Sequence, residues 1–337
     1  MRNQFYADPY VDDCDHGTGA ASVALGATVG VAKGATLHSV RVATGCLAYE
    51  DDIVAGIDWV VANAVQPAVM NINFSTGTGV PLRDAVYRAV NSGIARSIPV
   101  SKAAGNGTSD ACGVPANGVQ DVLVVGATTA SYARQAQSNY GPCVKIWAPG
   151  ELVRTASASG PGNYGLQTGT SVSAPIVAGV VATLLPQLFA HEPNSWKPPR
   201  VWNIVRSSAT SSPTVPLTDL RAGSPALFIN SLHRFLTLDS GCSSDLFPRV
   251  GEPISCPYSV HGYGGDGTWS SYAWTRSWNG AAPSLVSTSA AYTASYPAGS
   301  YQVDYNISAA SFGASFSFPY RVTVRPNNVL CTPSRPC

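Results

Sequence analysis

Charged residues are scarce in this chain of 337 residues, and the two signs nearly cancel. Asp, Glu, Lys and Arg make up 12% of the sequence, and the formal net charge is +1. Nucleic-acid binding requires clustered Lys and Arg to neutralise phosphates, and the sequence has no such cluster. It also has no uninterrupted apolar run of about 18 residues, the length of a membrane-spanning helix. We therefore expect a globular monomer that binds neither nucleic acid nor a membrane.

Cysteine, glycine and proline, in contrast, are well represented. The chain has 8 Cys, 32 Gly and 25 Pro. Cysteine-rich chains with little charge are typical of oxidising compartments, where disulfides form and persist. Buried free thiols are the alternative, and the spacing alone does not select a pairing. The composition predicts an extracellular, secreted protein.

Residues 169–179 read Gly-Thr-Ser-Val-Ser-Ala-Pro-Ile-Val-Ala-Gly and place Ser171 between a glycine and an apolar helix. Proline fits only near the start of a helix, so Pro175 predicts that the helix begins close to Ser171. A helix start offers free N–H groups and a positive dipole end, which favour a developing oxyanion. Ser171 is therefore a candidate nucleophile, and an ordinary helix cap is the alternative.

Two further segments carry the groups that such a serine needs. His16 lies in Asp-His-Gly-Thr-Gly, ahead of an apolar stretch, and could serve as the general base. Asn106 ends the apolar segment at residues 100–106, where its amide could donate a hydrogen bond to an oxyanion. Each signal alone is weak, because a lone histidine is often structural and Gly-Asn is often a turn.

Together, in the order His, Asn, Ser, these segments resemble the subtilisin-like serine proteases, and most closely the proteinase K and aqualysin branch. The resemblance covers residues 12–230 and includes these further motifs: Val-Arg-Val at 40–42, Ile-Asp-Trp-Val at 57–60, Ser-Asn-Tyr-Gly at 138–141 and Ala-Pro-Gly at 148–150. It implies that Ser171 is the nucleophile, His16 the general base and acid, and Asn106 the oxyanion donor. The substrate would be a peptide or protein.

The family's catalytic aspartate has no match in this sequence. In the family it ends a first strand, in a Val-Ile-Asp-Thr-Gly type of segment well before the histidine, and we expect that the chain is truncated and begins after that strand. Asp8, Asp12, Asp13 and Asp15 lie too close to His16 to take that role. A triad without its acid loses about 10⁴-fold in kcat. A catalytically impaired relative that binds peptides or proteins is therefore the alternative function.

The resemblance also implies the substrate-binding residues. These are Asn73, Phe74, Ser75 and Thr76 on one segment and Ala103, Ala104 and Gly105 on another. Ser75 and Thr76 replace glycines of the family, and their side chains should narrow the pocket for the P1 residue, which precedes the cleaved bond. We predict a preference for small P1 residues or a partly blocked site.

Disulfides and metal ions are implied in the same way. Cys14 and Cys46, and Cys112 and Cys143, stand where the aqualysin-like branch has two bridges. For the remaining cysteines, Cys242 with Cys256 and Cys331 with Cys337 are the local pairs. No cofactor is required, although the aspartates before His16 could donate oxygens to a structural calcium ion.

The hydrophobic pattern predicts an α/β fold. Short apolar runs at 40–42, 69–74, 98–103 and 122–126 are typical of buried parallel strands. Helices are expected from a cap at Asp51 or Asp52, over about 81–91, and from Ser171 to about Pro186. Strands that alternate with helices predict a parallel sheet between two helical layers, the subtilisin-like three-layer fold, over residues 1–236.

Residues 237–337 have a different pattern. Short alternating runs separated by Gly, Pro and Ser predict a small β-sandwich, with an immunoglobulin-like arrangement as one form. Its aromatic side chains could form a binding face for polysaccharide or protein, although core packing is the simpler use. The group consists of Trp269, Tyr272, Trp274 and Trp278.

Overall fold

A computed structural model describes the chain in two compact units, Met1–Ser231 and Leu232–Cys337. In the first unit it describes residues 11–74, 84–191, 197–211 and 217–229. In the second it describes residues 235–240, 254–263, 271–279, 281–288, 291–296, 301–311, 314–324 and 330–331. The division falls near the sequence boundary drawn at residue 236.

The first unit alternates helices with short strands. Its helices are α1 (His16–Leu25), α2 (Glu50–Asn63), α3 (Asp84–Ala95), α4 (Thr170–His191) and α5 (Pro198–Ser208), with a 3-10 turn at Ala111–Gly113. Its strands are β1 (Ala43–Thr44), β2 (Leu47–Ala48), β3 (Met70–Ile72), β4 (Val100–Ala103), β5 (Val122–Thr128), β6 (Ile146–Pro149), β7 (Val153–Ala156), β8 (Tyr164–Gln167), β9 (Thr210–Ser211) and β10 (Leu227–Phe228).

A six-stranded sheet organises this unit in the order β3-β4-β5-β6-β10-β9. All neighbours are parallel except β9, which runs antiparallel to β10 at the edge. The strands β4 and β5 are buried along their whole length, as strands in a sheet that is covered on both faces are, although β4 includes Ser101 and Lys102. The predicted α/β fold with a mostly parallel sheet is confirmed.

Two helical layers cover the sheet. On one face, apolar residues of the strands pack with Ile53 and Ile57 of α2 and Val86 and Val90 of α3. On the other face lies α4, whose Ala174 carbonyl accepts a hydrogen bond of 2.8 Å from the hydroxyl of Ser101 in β4. The strand ends that follow β3 and β4 therefore lie beside the start of α4.

Three sequence predictions of local structure are wrong in detail. Residues 40–42 form no strand, because Val40 and Val42 pack against Gly56 of α2 instead of entering the sheet. Tyr49, not Asp51 or Asp52, is the cap residue of α2. The acidic residues occupy the first turn, where their negative charges interact favourably with the positive end of the helix dipole. The helix α4 does not stop at Pro186.

Pro186 lies inside α4, which continues to His191. A proline within a helix costs about 3 kcal/mol because a hydrogen bond is lost. Pro186 is on the exposed side, whereas Leu184, Leu185 and Leu188 are almost completely buried. Burial of a leucine contributes about 2 kcal/mol, so these three side chains outweigh the proline.

The helix α4 also has the length and composition of a membrane-spanning segment. The segment is Thr170–Phe189, and 67% of its most apolar window is buried inside the protein. A central helix of a globular core has the same properties, and α4 has the contacts of such a helix.

Two disulfides link the first unit. Cys14 pairs with Cys46 and Cys112 pairs with Cys143, with Cα–Cα distances of 5.2 and 5.1 Å. The two bridges that the family resemblance implied are confirmed. Of the other proposed pairs, Cys242 and Cys337 lie outside the described residues.

The second unit consists of antiparallel strands. They are β11 (Phe235–Ser240), β12 (Ile254–Tyr263), β13 (Ser271–Trp278), β14 (Ser284–Ser287), β15 (Ala291–Tyr296), β16 (Tyr301–Ser311), β17 (Ala314–Val324) and β18 (Leu330–Cys331). They form a three-stranded sheet, β11-β12-β15, and a five-stranded sheet, β14-β13-β16-β17-β18. An all-β second unit agrees with the sequence pattern. Trp269 lies outside the described residues, and the other three aromatic residues lie on β13.

The close approach of α1 and α4 generates a prediction. A Cβ atom at Gly179 would lie 2.5 Å from the Ala24 carbonyl and 2.9 Å from the Val31 Cβ. We expect Gly179→Ala to lower the free energy of unfolding by about 1–2 kcal/mol, because the overpacking exceeds the gain in helix propensity. Denaturant titration measures the difference.

Gly118→Ala is the matched control, because a Cβ atom at Gly118 meets nothing within 4 Å. Equal stability of the two variants would contradict the tight contact between α1 and α4.

Candidate functional site

The first turn of α4 places Ser171 at the carboxyl ends of the strands. The helix begins at Thr170, close to Ser171 as the sequence predicts, although Pro175 lies inside the helix in its second turn and not in its first. The Ser173 hydroxyl donates to the Pro149 carbonyl at the end of β6, with an oxygen–oxygen distance of 3.0 Å. Together with the bond from Ser101 to Ala174, this contact fixes the helix start against two strands. Ser171 is half-buried there.

The side chain of Asn106 binds the start of α4 directly. Its Oδ1 accepts hydrogen bonds of 2.9 Å from both the amide and the hydroxyl of Thr170. The Thr170 hydroxyl in turn accepts a bond of 3.1 Å from the Gly105 amide. Because Oδ1 is fixed, the orientation of the whole carboxamide is fixed, and within the described residues Nδ2 remains available as a donor.

Gly169 allows this approach. It has a φ of +142°, and a Cβ atom there would lie 3.0 Å from Asn106 Nδ2. A larger residue would therefore meet both backbone strain and the carboxamide. Three consecutive residues therefore have three roles. Gly169 allows the close approach of the backbone, Thr170 binds Asn106, and Ser171 is the candidate nucleophile.

Asn139 is a positioning residue that the sequence reading missed. It is buried, and its Nδ2 donates to the Ala104 carbonyl over 2.9 Å. Its Oδ1 accepts from the amides of Gly107 and Ser109 at 3.0 Å. Asn139 thus supports the loop on both sides of Asn106. The Ser-Asn-Tyr-Gly motif at 138–141 carried this signal without showing which contacts it makes.

His16 is the first residue of α1, and its side chain is exposed. Neighbouring atoms desolvate the imidazole and lower its pKa below the usual 6.5, while the negative charge of Asp12 opposes the shift. A lowered pKa keeps the imidazole neutral, and therefore able to accept a proton, at neutral pH. The electrostatics suit a general base.

The starts of α1 and α4 lie at the same end of the fold. Near the start of α1, the Gln167 side chain donates to the Asp15 carbonyl over 3.0 Å, and Gln167 immediately precedes the turn into α4. Farther along, Ala24 of α1 meets Gly179 of α4. The two contacts show that the helices run in the same direction, so the segment that carries His16 begins on the side from which Ser171 emerges.

The described aspartates near His16 are occupied by other groups. Asp12 accepts from the amides of Cys14, Asp15 and Thr18 at 2.7–3.0 Å. Burial raises its pKa, but hydrogen bonds from Thr18, Cys14 and Asp15 outweigh burial and lower the pKa overall. Asp13 pairs with Arg41 over 2.8 Å.

Asp15 accepts a short hydrogen bond from the Ala158 amide. Asp8 lies outside the described residues. Within the described part of the chain, no group of three or more His, Cys, Asp or Glu side chains could hold a metal ion. A structural calcium ion at this loop remains a proposal from the sequence.

The proposed substrate-binding segments follow β3 and form the end of β4. Asn73 and Phe74 are half-buried, and Asn73 Oδ1 accepts a bond of 2.8 Å from Asn71. Phe74 packs against the apolar core. Ala103, Ala104 and Gly105 are buried beside Asn106. Ser75 and Thr76 lie outside the described residues, so the predicted narrowing of the P1 pocket stays a prediction.

Comparison with known proteins points to one family. A sequence profile described as the subtilase family, Peptidase_S8, matches residues 3–224. The chain is 37% identical over 240 residues to "Alkaline serine exoprotease A" of Vibrio alginolyticus, covering 71% of this chain and 41% of that protein. It is 40% identical over 176 residues to "Extracellular serine proteinase" of Thermus sp. strain Rt41A, covering 51% and 42%.

Solved structures agree with these relatives. A cold adapted subtilisin-like serine proteinase matches with a TM-score of 0.60 and 32% identity, over 66% of this chain and 76% of that one. A protease of Pseudoalteromonas arctica matches with a TM-score of 0.53 and 26% identity, over 64% and 68%. The chain spans about two fifths of the length of the curated relatives that it matches.

The environment of His16 generates a prediction. In an NMR titration His16 should have a pKa below 6.5, because the neighbouring atoms desolvate the imidazole and favour its neutral form. Asp12→Asn should lower this pKa further, because it removes a negative charge that favours the protonated form. Asp13→Asn is the control, since the Asp13 carboxylate already pairs with Arg41. An unchanged or raised His16 pKa in the Asp12 variant would contradict this electrostatic description.

Proposed function

Because the chain belongs to the subtilase family, we propose that it is a secreted serine endopeptidase that cleaves peptide bonds through an acyl-enzyme. The observation that carries the proposal is the contact of Asn106 with the start of α4. That contact leaves the Asn106 Nδ2 donor at the helix start together with the Ser171 amide, since the Thr170 amide donates to Asn106 Oδ1 and the Val172 amide to the Gly169 carbonyl. The names of the curated relatives include two serine proteases, one of them called extracellular.

In the proposed mechanism, Ser171 Oγ attacks the carbonyl carbon of the substrate while His16 accepts the serine proton. The carbonyl oxygen becomes negative and accepts hydrogen bonds from Asn106 Nδ2 and from the backbone at the start of α4. The protonated His16 then donates its proton to the leaving amine, and an acyl group remains on Ser171. Water releases the acyl group by the same steps.

The mechanism also needs an acid that orients His16. We assign none of the nearby aspartates to this role, since Asp12, Asp13 and Asp15 already bind amides or Arg41. A serine-histidine pair without such an acid is slower by about 10⁴-fold. We therefore expect the 337 residues alone to react slowly, and we assign no required cofactor, nucleic acid or membrane to the reaction. A monomer suffices for it.

A peptide- or protein-binding relative without catalysis is the second candidate. The alternative is favoured by the absence of a matched acid in this sequence, and the second unit could then contribute a binding face for polysaccharide or protein. In this case the proposed substrate-binding segments would bind peptides, but Ser171 would not react.

Reaction with a fluorophosphonate separates the two candidates. We expect a covalent adduct on Ser171 in mass spectra of the 337-residue chain, and of any longer form that its gene encodes. Ser171→Ala should remove the adduct, and Ser159→Ala, at an exposed serine, should not. A folded chain that binds peptides without forming an adduct on Ser171 would support the binding candidate.

The oxyanion donor has a separate test. Asn106→Ala should lower kcat by about 10²- to 10³-fold, the usual effect of removing a side-chain oxyanion donor from a serine protease. Asn63→Ala is the control, because Asn63 is an exposed residue on α2 that binds only its own helix.

Peptides blocked at both ends should be cleaved, since an endopeptidase needs no free terminus. Cleavage of unblocked peptides alone would indicate an exopeptidase.

A further inference from the structure

Lys102 is a buried charge that the proposed mechanism does not use. It lies in β4, immediately before Ala103, Ala104 and Gly105, and only 2% of the residue is exposed. Its Nζ lies 3.5 Å from the Ala103 carbonyl oxygen, which is longer than an ordinary hydrogen bond. No carboxylate of the described residues pairs with it. A buried ammonium without a partner is costly, so a ligand that supplied a negative charge would bind favourably.

The backbone shows where this ammonium lies. The Ala104 amide donates to Val125 of β5, so by strand alternation the Ala103 carbonyl faces the other neighbour, β3. The pairing of β3 with β4 ends at Ile72 and Lys102. The Ala103 carbonyl, and the Nζ beside it, therefore lie where the two strands separate.

The two proposed substrate-binding segments begin at these strand ends. Asn73 and Phe74 continue from β3 on one side, and Ala103, Ala104 and Gly105 form the other side. Asn106, the proposed oxyanion donor, follows directly on the chain. If a substrate carbonyl reached Asn106, the side chain of the residue before the cleaved bond would lie near the ends of these two strands.

We propose that Lys102 is a specificity residue of the P1 subsite and favours substrates with Asp or Glu before the cleaved bond. The proposal rests on the proposed protease function. A carboxylate on the P1 side chain would accept hydrogen bonds from Lys102 Nζ and neutralise its charge in a buried site, where such a pair is strong. A neutral P1 side chain of the same size would leave the ammonium unpaired.

The charges around Lys102 agree with this role. Burial lowers the pKa of Lys102 to about 7, and burial is its sole cause. The strands β3 and β5 contain no titratable residue. On the helices packed against them, Tyr87 and Arg88 of α3 and Asp51 and Asp58 of α2 are exposed, and Glu50 and Asp52 at the start of α2 are half-buried. Since the free ammonium loses its proton near neutrality, the preference for acidic P1 residues should weaken as the pH rises through this range.

The test compares matched P1 residues in blocked peptides with a chromogenic leaving group. Asp and Asn have nearly the same size, as do Glu and Gln, so any narrowing of the pocket by Ser75 and Thr76 affects both members of a pair alike. At pH 6 we expect kcat/KM to be at least about tenfold higher for Asp than for Asn, and for Glu than for Gln. Lys102→Met should reduce both ratios to about one, whereas Lys145→Met, at a partly exposed lysine, should leave them unchanged.

The pH dependence of the unmodified protein provides a test that does not depend on the folding of a variant. Between pH 6 and pH 9 the peptide carboxylate stays ionised, so a fall in the Asp-to-Asn ratio reports the loss of the Lys102 proton. A ratio that is about one at pH 6, or that does not change in Lys102→Met, would overturn the proposal while leaving the protease function intact. Failure to hydrolyse any peptide would overturn the protease function and this proposal with it.

Discussion

The contact between Asn106 and Thr170 is the constraint on which the rest of the site depends. It joins the carboxyl end of β4 to the amino end of α4, two segments 64 residues apart in the sequence. Because Oδ1 accepts both the amide and the hydroxyl of Thr170, the carboxamide cannot rotate without the loss of two hydrogen bonds. The same contact fixes the helix start, the serine that follows Thr170 and the direction of the free Nδ2.

The remaining layers of the fold hold this contact in place. Ser101 and Ser173 attach the first turns of α4 to strand β4 and to the end of β6. Asn139 binds the loop that contains Asn106. The tight contact between Gly179 and α1 aligns that helix with α4, so His16 is presented from a neighbouring helix start. The proposed proton acceptor, nucleophile and oxyanion donor thus lie at the start of α1, at the start of α4 and directly after β4, and α1 packs on α4. Two titratable groups, the partly desolvated imidazole of His16 and the buried amino group of Lys102, lie at the same end of the sheet.

The sequence predicted what depends on pattern and missed what depends on contact. Short, mostly apolar runs predicted β4 and β5, Pro175 indicated a helix start near Ser171, and the family resemblance implied the two disulfides of the first unit. Residues 40–42 have the composition of a strand, yet their valines pack on α2. The sequence pattern does not show whether such valines enter a sheet or pack on a helix. Pro186 was misread because the burial of leucines far along the helix outweighs the local cost of a proline. The anchoring role of Asn139 and the isolation of Lys102 depend on distances between segments, which no spacing encodes.

A crystal structure of the chain after reaction with a peptidyl phosphonate would show directly whether this helix start is the catalytic site. We expect a covalent bond from phosphorus to Ser171 Oγ, with the phosphoryl oxygen about 2.7–3.1 Å from Asn106 Nδ2. We also expect Asn106 Oδ1 to stay bound to Thr170 in the adduct. A phosphoryl oxygen turned away from Asn106, or an adduct on another residue, would contradict the assignment of this helix start as the site of catalysis.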